Sequence, residues 1–364
     1  MCHSDRTNED GIDQESAERP PKRQRTLVGL TFRDDLYLWS DGWTTDFELA
    51  TLDEQERQQS LELERHRPST KEEVWGVLTG PQQAAMRHVD SVARGLHDAA
   101  LPALQSRVLQ LGFTHEDLDA CLRYIRDEAP IVVHLDAKTL ALLCTDLWYR
   151  SQFETGTSKG TQDLAKRQQW EDAMFAKAYA AASNDEHPKY GALNLTGDIM
   201  GVRGANKYGE FFITLAPAVR HRTSFANQDT GSQMGKGKMA SNSWYAHVLS
   251  EFADNELARA LDVSRSGRVH GAPSTDFAQY KECQMHGALS IASDVLVLSA
   301  PGHHAAASAE LLQQVEAFRS ISSCTVMWHA DLLADTDYRG YSKLRTHTAI
   351  EPYGRSMPRS IGPS

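Results

Sequence analysis

The heptapeptide "YKECQMH", residues 280–286, alternates in a way that could carry chemistry. In a strand successive side chains point to opposite faces, so Tyr280, Glu282, Gln284 and His286 share one face and Lys281, Cys283 and Met285 the other. The second set can pack a core with Lys281 at its rim. The first is a row of four hydrogen-bonding groups, costly to bury unless they meet one another, water or a ligand. That face is a candidate cleft wall, although the same pattern also fits an exposed face at a sheet edge.

"IVVHLD", residues 131–136, behaves alike: Ile131, Val133 and Leu135 form an apolar face, and His134 and Asp136 share the other with Val132. A lone strand histidine usually serves structure, so this pair gains chemical meaning only beside Glu282 in space. "YRSQFETGTSKG", residues 149–160, gathers Tyr149, Arg150, Thr155, Thr157 and Ser158 around Gly156, where a missing side chain lets backbone approach a ligand. Ser/Thr-rich turns also satisfy their own backbone. "GSQMGKGKM" lacks the spacing and terminal hydroxyl of a phosphate-binding P-loop, and GxSxG, HExxH and a strand-borne GxGxxG are missing. His303 and His304 read as a solvated loop rather than a metal site, and "RHR", Arg220 to Arg222, suits phosphate or water equally.

The elements that must position these groups follow from periodicity. Residues 80–130 read as three helices, with Pro81 in a first turn, Gly112 as a stop and Thr114 with Asp117 as an N-cap pair. From residue 131 to 345 strand-like runs, "IVVHLD", "EFFITLA", "QYKECQMHGALSI" and "TVMWHA", alternate with helical stretches such as "DLAKRQQWEDAMFAKAYAAA" and "SNSWYAHVLSEFADNELARAL". This order predicts an α+β fold, a helical N-terminal subdomain followed by a mixed or mostly antiparallel sheet domain. Residues 1–26 and 346–364 have the composition of disordered tails, and 27–79 combine an aromatic-rich segment with a charged helix or linker.

The 364 residues, 40% of them hydrophobic, suffice for one sizeable core. A net charge of −11 argues against broad capture of nucleic acid. No segment has the apolar run of a signal peptide or a membrane span, so a soluble, intracellular protein is expected. Lys22, Arg23 and Arg25 in "PPKRQR" form a short import-like motif, leaving a nuclear or cytoplasmic location open. Five scattered cysteines without CxxC predict reduced, mostly buried thiols and no metal site.

Five blocks, "YRSQFETGTSKG", "RQQWEDAMFAKAYA", "HPKYGALNL", "GEFFITLAPAVRHRTSFANQDTG" and "YKECQMHGALSIASDV", occur in the order found in the bacterial and fungal proteins grouped as domain of unknown function family 3626. Over residues 80–330 the chain resembles that family. Where the family usually carries a strand ending in a His-Pro-Asp-Arg type sequence, this chain has "HLDAK". His134 is kept, the proline is missing, and Lys138 is a poorer bidentate partner for an anion than arginine.

More distantly, a His-bearing strand, a Thr/Ser-rich segment with aromatic neighbours and a Glu-bearing strand are similar in order to ADP-ribosyltransferases. That resemblance implies an ADP-ribosyltransferase or NAD glycohydrolase that takes NAD as substrate, with water or an unknown protein as acceptor. Glu282 would stabilise an oxocarbenium-like transition state. His134 and Lys138 would hold the ribose or pyrophosphate side. Thr155, Thr157 and Ser158 would brace the site, Tyr149 or Phe153 would stack on nicotinamide, Arg150 would meet a phosphate, and Gln284 would complete the binding set. A non-catalytic regulatory protein, or a hydrolase of another anionic small molecule, would use the same residues.

Overall fold

A computed structural model describes residues 70–160, 163–231, 238–265, 277 and 279–334. Lys22, Arg23, Arg25, the aromatic-rich segment and the two expected tails lie outside the described residues. The fold is α+β: N-terminal helices, then a mixed eight-stranded sheet with interspersed helices.

Helix α1 (Lys71–Gly76) begins at a capping box in which the Thr70 hydroxyl and Glu73 carboxylate each accept the other's backbone N–H. Helix α2 (Gly80–Gln110) starts at Thr79 with Pro81 in its first turn, and α3 (His115–Asp127) at Thr114, whose hydroxyl accepts from the Asp117 N–H at 3.1 Å. Two helices therefore stand where three were expected. Pro102 forfeits one backbone bond, but Leu104 and Val108 beyond it are buried in the core and hold α2 in register to Gln110.

The strands are β1 (Ile131–Leu135), β3 (Lys189–Leu193), β4 (Phe211–Leu215), β5 (Thr223–Phe225), β6 (Ala240–Ser241), β7 (Lys281–Met285), β9 (Val295–Ala300) and β10 (Thr325–Trp328). Their spatial order is β10-β9-β4-β1-β3-β7-β5-β6, and only β9 and β10 run parallel. A small ribbon pairs β2 (Trp148–Tyr149) with β8 (Leu289–Ser290). Helices α4 (Ala137–Asp146), α5 (Gln152–Thr155), α6 (Leu164–Met174), α7 (Ala246–Leu249), α8 (Asp254–Arg265), α9 (Ile291–Asp294), α10 (Ala309–Ser322) and α11 (His329–Ala334) fill the connections. The helix expected over 163–182 ends early because Ala176 and Lys177 turn left-handed, at φ 51° and 62°. The one expected over 241–261 divides into α7 and α8.

The main core lies on one face of the sheet. Ile131, Val133, Leu135, Ile213, Phe225, Cys283 and Met285 pack there with Leu104, Val108, Leu118, Ile125 and Leu257 from the helices. Cys121, Cys144, Cys283 and Cys324 are free thiols. No helix among the described residues is long and apolar enough to cross a membrane.

At the end of β1 the chain turns into α4 through Asp136, whose Oδ1 accepts from the Thr139 N–H at 2.8 Å while Oδ2 pairs with Lys159 Nζ at 2.6 Å. Partial burial works against this charge, yet Lys159 and Thr139 hold the carboxyl down at about 2. Asp136→Ala is expected to lose about 1 kcal/mol, the worth of an N-cap, read as a lower urea midpoint. A carboxyl held low stabilises the fold above its unfolded value and loses that contribution as pH falls through the folded one. The deficit should therefore be full above about pH 4 and fade toward about pH 2.

Candidate functional site

The second face of the sheet is polar at its centre. Register places Val132, Ala192 and Glu282 in one row across β1, β3 and β7, and Tyr190, Gln284 and Ser224 in the next across β3, β7 and β5. Glu282 is 6% exposed, so its carboxylate must be satisfied from within. Oε1 accepts from Thr230 Oγ1 and from Gln284 Nε2 at 2.8 Å; Oε2 accepts from Tyr280 Oη at 3.2 Å. Burial pushes the Glu282 carboxyl up to about 7, with Asp229 adding to the rise and the donors from Thr230, Gln284 and Tyr280 restraining it. This carboxyl changes charge at neutral pH, the range in which a general acid or base works.

The network continues inward. Ser224 Oγ lies 3.0 Å from Gln284 Oε1 and 3.1 Å from His286 Nε2, and Tyr179 Oη lies 2.5 Å from His286 Nδ1. Burial, with Arg222 and Lys189 nearby, lowers His286 to about 3, so the ring is neutral. A second knot lies alongside. Glu171 on α6 accepts from Tyr190 Oη at 3.0 Å and meets His187 Nδ1 at 2.6 Å. Burial raises the Glu171 carboxyl, with His187, Tyr190 and Arg167 opposing.

Two cations flank these carboxylates. Arg167 lies over the Tyr190 ring, 4.5 Å from its centroid, and donates Nε to Gln152 Oε1 at 2.7 Å. Burial works against its charge, but Tyr190, Glu171 and Glu282 hold its pKa above the ordinary value. Lys207 is exposed, over the rings of Tyr208 and Tyr280 at 5.0 and 5.5 Å and 3.5 Å from Asp229. Tyr208 Oη reaches Tyr280 Oη at 3.4 Å, which links Glu282 to this outer edge.

Of the residues singled out in the sequence, Glu282 and Gln284 meet at the centre of this network. Tyr149 borders it: its phenol feels Tyr208 and Arg167, and burial pushes it up to about 12. Phe153 stacks on His187 with centroids 3.6 Å apart, so its ring face has a partner within the fold. His134 shares the polar face, but β3 separates its strand from β7. The Val202 N–H donates to its Nε2 at 2.9 Å, which leaves the proton on Nδ1 to reach the Gly209 carbonyl at 3.0 Å. Both ring nitrogens thus serve the backbone.

Arg150 is exposed and already bridges Asp146, at 2.6 Å, and Glu154, at 3.2 Å. Lys138 is exposed on α4. Thr155 Oγ1 donates to the Ser151 carbonyl at 3.1 Å and lies 3.3 Å from Thr157 Oγ1, while Ser158 Oγ accepts from the Gly160 N–H at 2.9 Å. These hydroxyls hold their own turn, as Ser/Thr-rich loops do. Thr230, Ser224, Tyr190, Glu171, Tyr179 and Arg167 also belong to this network, and none of them carries a motif of its own. Their one shared signal was membership of the blocks carrying the family resemblance, since Glu171 and Arg167 look like a solvated helix face and Thr230 sits in a loop.

Among the described residues no group of three or more His, Cys, Asp or Glu is arranged to hold a metal ion. The molecule is thus an α+β protein whose mixed sheet carries a buried carboxylate in a hydrogen-bonded network. It belongs to the family described as Protein of unknown function (DUF3626), whose model matches residues 133–341, more than half of the chain. Comparison with curated proteins gave no match.

Proposed function

We propose that this protein is an enzyme that splits the nicotinamide–ribose bond of NAD and passes ADP-ribose to water or to an acceptor. The observation that carries this reading is Glu282, a carboxyl that ionises near neutrality, is held by Thr230, Gln284 and Tyr280, and feels Arg167 beside it. In this reading the bond from the ribose anomeric carbon to the pyridinium nitrogen breaks, and nicotinamide leaves as a neutral molecule with the bonding electron pair. The cationic sugar faces the ionised Glu282, which favours positive charge developing there. Water then attacks the anomeric carbon, and its proton passes to the carboxylate or to solvent. Tyr208, Lys207 and Arg167 supply the aromatic and cationic surfaces that a phosphorylated nucleotide needs.

The test is nicotinamide release from NAD by the purified protein, set against Glu282→Gln. Because the ionised carboxylate is the acting form, the rate should climb as pH rises through about 7. No nicotinamide from either protein refutes the reading, and equal release by both removes Glu282 from it.

One observation favours a second reading. Glu282 is almost wholly buried and three donors already hold it, an arrangement that also suits a non-catalytic binding protein. A melting temperature raised by NAD without turnover would establish that alternative, because a ligand that binds only the native state stabilises it.

A further inference from the structure

We propose that Ser224, His286 and Tyr179 are positioning residues for Glu282, forming a one-way chain of hydrogen bonds that locks the Gln284 amide with its NH2 group on the carboxylate. The inference rests on the reading of Glu282 as the acting group, and the chain itself follows from proton counting. Gln284 Nε2 lies 2.8 Å from Glu282 Oε1, so the amide NH2 donates there and the amide oxygen faces Ser224 Oγ at 3.0 Å. An amide oxygen only accepts, so the single Ser224 hydroxyl proton points to Gln284. His286 Nε2, 3.1 Å from Ser224 Oγ, must then carry the proton of its neutral ring, and Nδ1 is left to accept from Tyr179 Oη at 2.5 Å. The opposite tautomer would claim the Ser224 proton and set the oxygens of Ser224 and Gln284 face to face. Ser224, Gln284 and His286 are each 0% exposed, so no bulk water relieves that clash.

Every link therefore points the same way: Tyr179 to His286, His286 to Ser224, Ser224 to Gln284, Gln284 to Glu282. The chain transmits orientation and not protons, because a side-chain amide cannot relay a proton. A mirror arm reaches Glu282 from outside, where Tyr280 donates to Oε2 and Tyr208 backs Tyr280. The acting carboxylate is thus oriented on both oxygens, by a fully buried arm and by one that ends at the half-buried Tyr208.

The experiment is a pH titration of the Glu282 carboxyl in the full chain, by nuclear magnetic resonance with isotope-labelled glutamate; the signal that Glu282→Gln removes identifies it. Ser224→Ala frees the amide to turn its oxygen toward the carboxylate. The titration midpoint should rise by about one pH unit, roughly the worth of one hydrogen bond to a charged group. Ser224→Thr, which keeps the hydroxyl, should restore the midpoint, and Tyr179→Phe should raise it by a smaller amount. The acid limb of nicotinamide release should move with it to higher pH, a signature that loss of packing alone does not give. A midpoint unmoved in folded Ser224→Ala overturns the proposal, and if that variant fails to fold, an unmoved midpoint in Tyr179→Phe does so. A shifted midpoint in a protein that releases no nicotinamide sustains the positioning chain and sinks the enzymatic reading.

Discussion

Glu282→Gln is expected to cut nicotinamide release by about 10²- to 10³-fold, the usual loss when one electrostatic stabiliser of a transition state is removed, and to change how stability depends on pH. The second effect comes from linkage. The folded protein raises the Glu282 carboxyl from 4.5 to about 7, so between those values the native state keeps a proton that the unfolded chain has released. A raised carboxyl contributes stability that is full below the unfolded value and is lost as pH rises through the folded one. At about 1.4 kcal/mol per unit the loss amounts to about 3 kcal/mol. His286 acts in the opposite sense. Its pKa falls from 6.5 to about 3, so its contribution is present above 6.5 and disappears as pH drops toward 3. Between 4.5 and 6.5 the two slopes oppose and largely cancel. Glutamine removes one of them. The difference in unfolding free energy between variant and wild type, from urea denaturation at a series of pH values, should move in favour of the variant by about 3 kcal/mol from pH 4.5 to above 7. A difference independent of pH would mean that Glu282 titrates normally in the folded state.

The same pair of residues shows how far the sequence could be read. Alternation in "YKECQMH" sorted Glu282, Gln284 and His286 from Cys283 and Met285 correctly, because one face of β7 meets an apolar core and the other does not. "IVVHLD" was legible for the same reason. What the strands cannot state is their neighbours. β7 lies between β3 and β5, both distant from it in sequence and short, and those strands deliver Tyr190 and Ser224 to the site. "KYGAL" carries a glycine and "TSF" is three residues long, so neither announces a strand. The Thr/Ser run at 155–158 is a different case. Its hydroxyls are conspicuous in a string of letters and occupied by their own turn in three dimensions. Glu171 was invisible because it lies on a helix whose other residues are largely solvated, and only the fold turns it toward His187 and Tyr190.

Gly209→Ala is expected to leave the chain without a stable fold, a loss of more than about 4 kcal/mol, in the range reserved for changes that strike a specific structural feature. Two constraints act at this position. Its φ of 146° lies where only glycine is comfortable. A Cβ built there would also lie 2.0 Å from the Leu135 carbonyl carbon and oxygen, at the junction of β1 with α4. Backbone at the end of a central strand cannot move aside as a flexible side chain would. The Gly209 carbonyl also accepts the Nδ1 proton of His134, so displacing it breaks the bond that fixes this ring beside Phe212. Gly112→Ala serves as the internal control. It too has positive φ, 85°, but a Cβ there meets nothing within 4 Å, so only backbone strain of about 1 kcal/mol is expected. Soluble yield and the cooperativity of thermal unfolding, compared between the two variants, isolate the close approach from the backbone preference. If Gly209→Ala melts within a few degrees of Gly112→Ala, the Gly209 turn has room to move away from β1 and the close approach is not what requires glycine there.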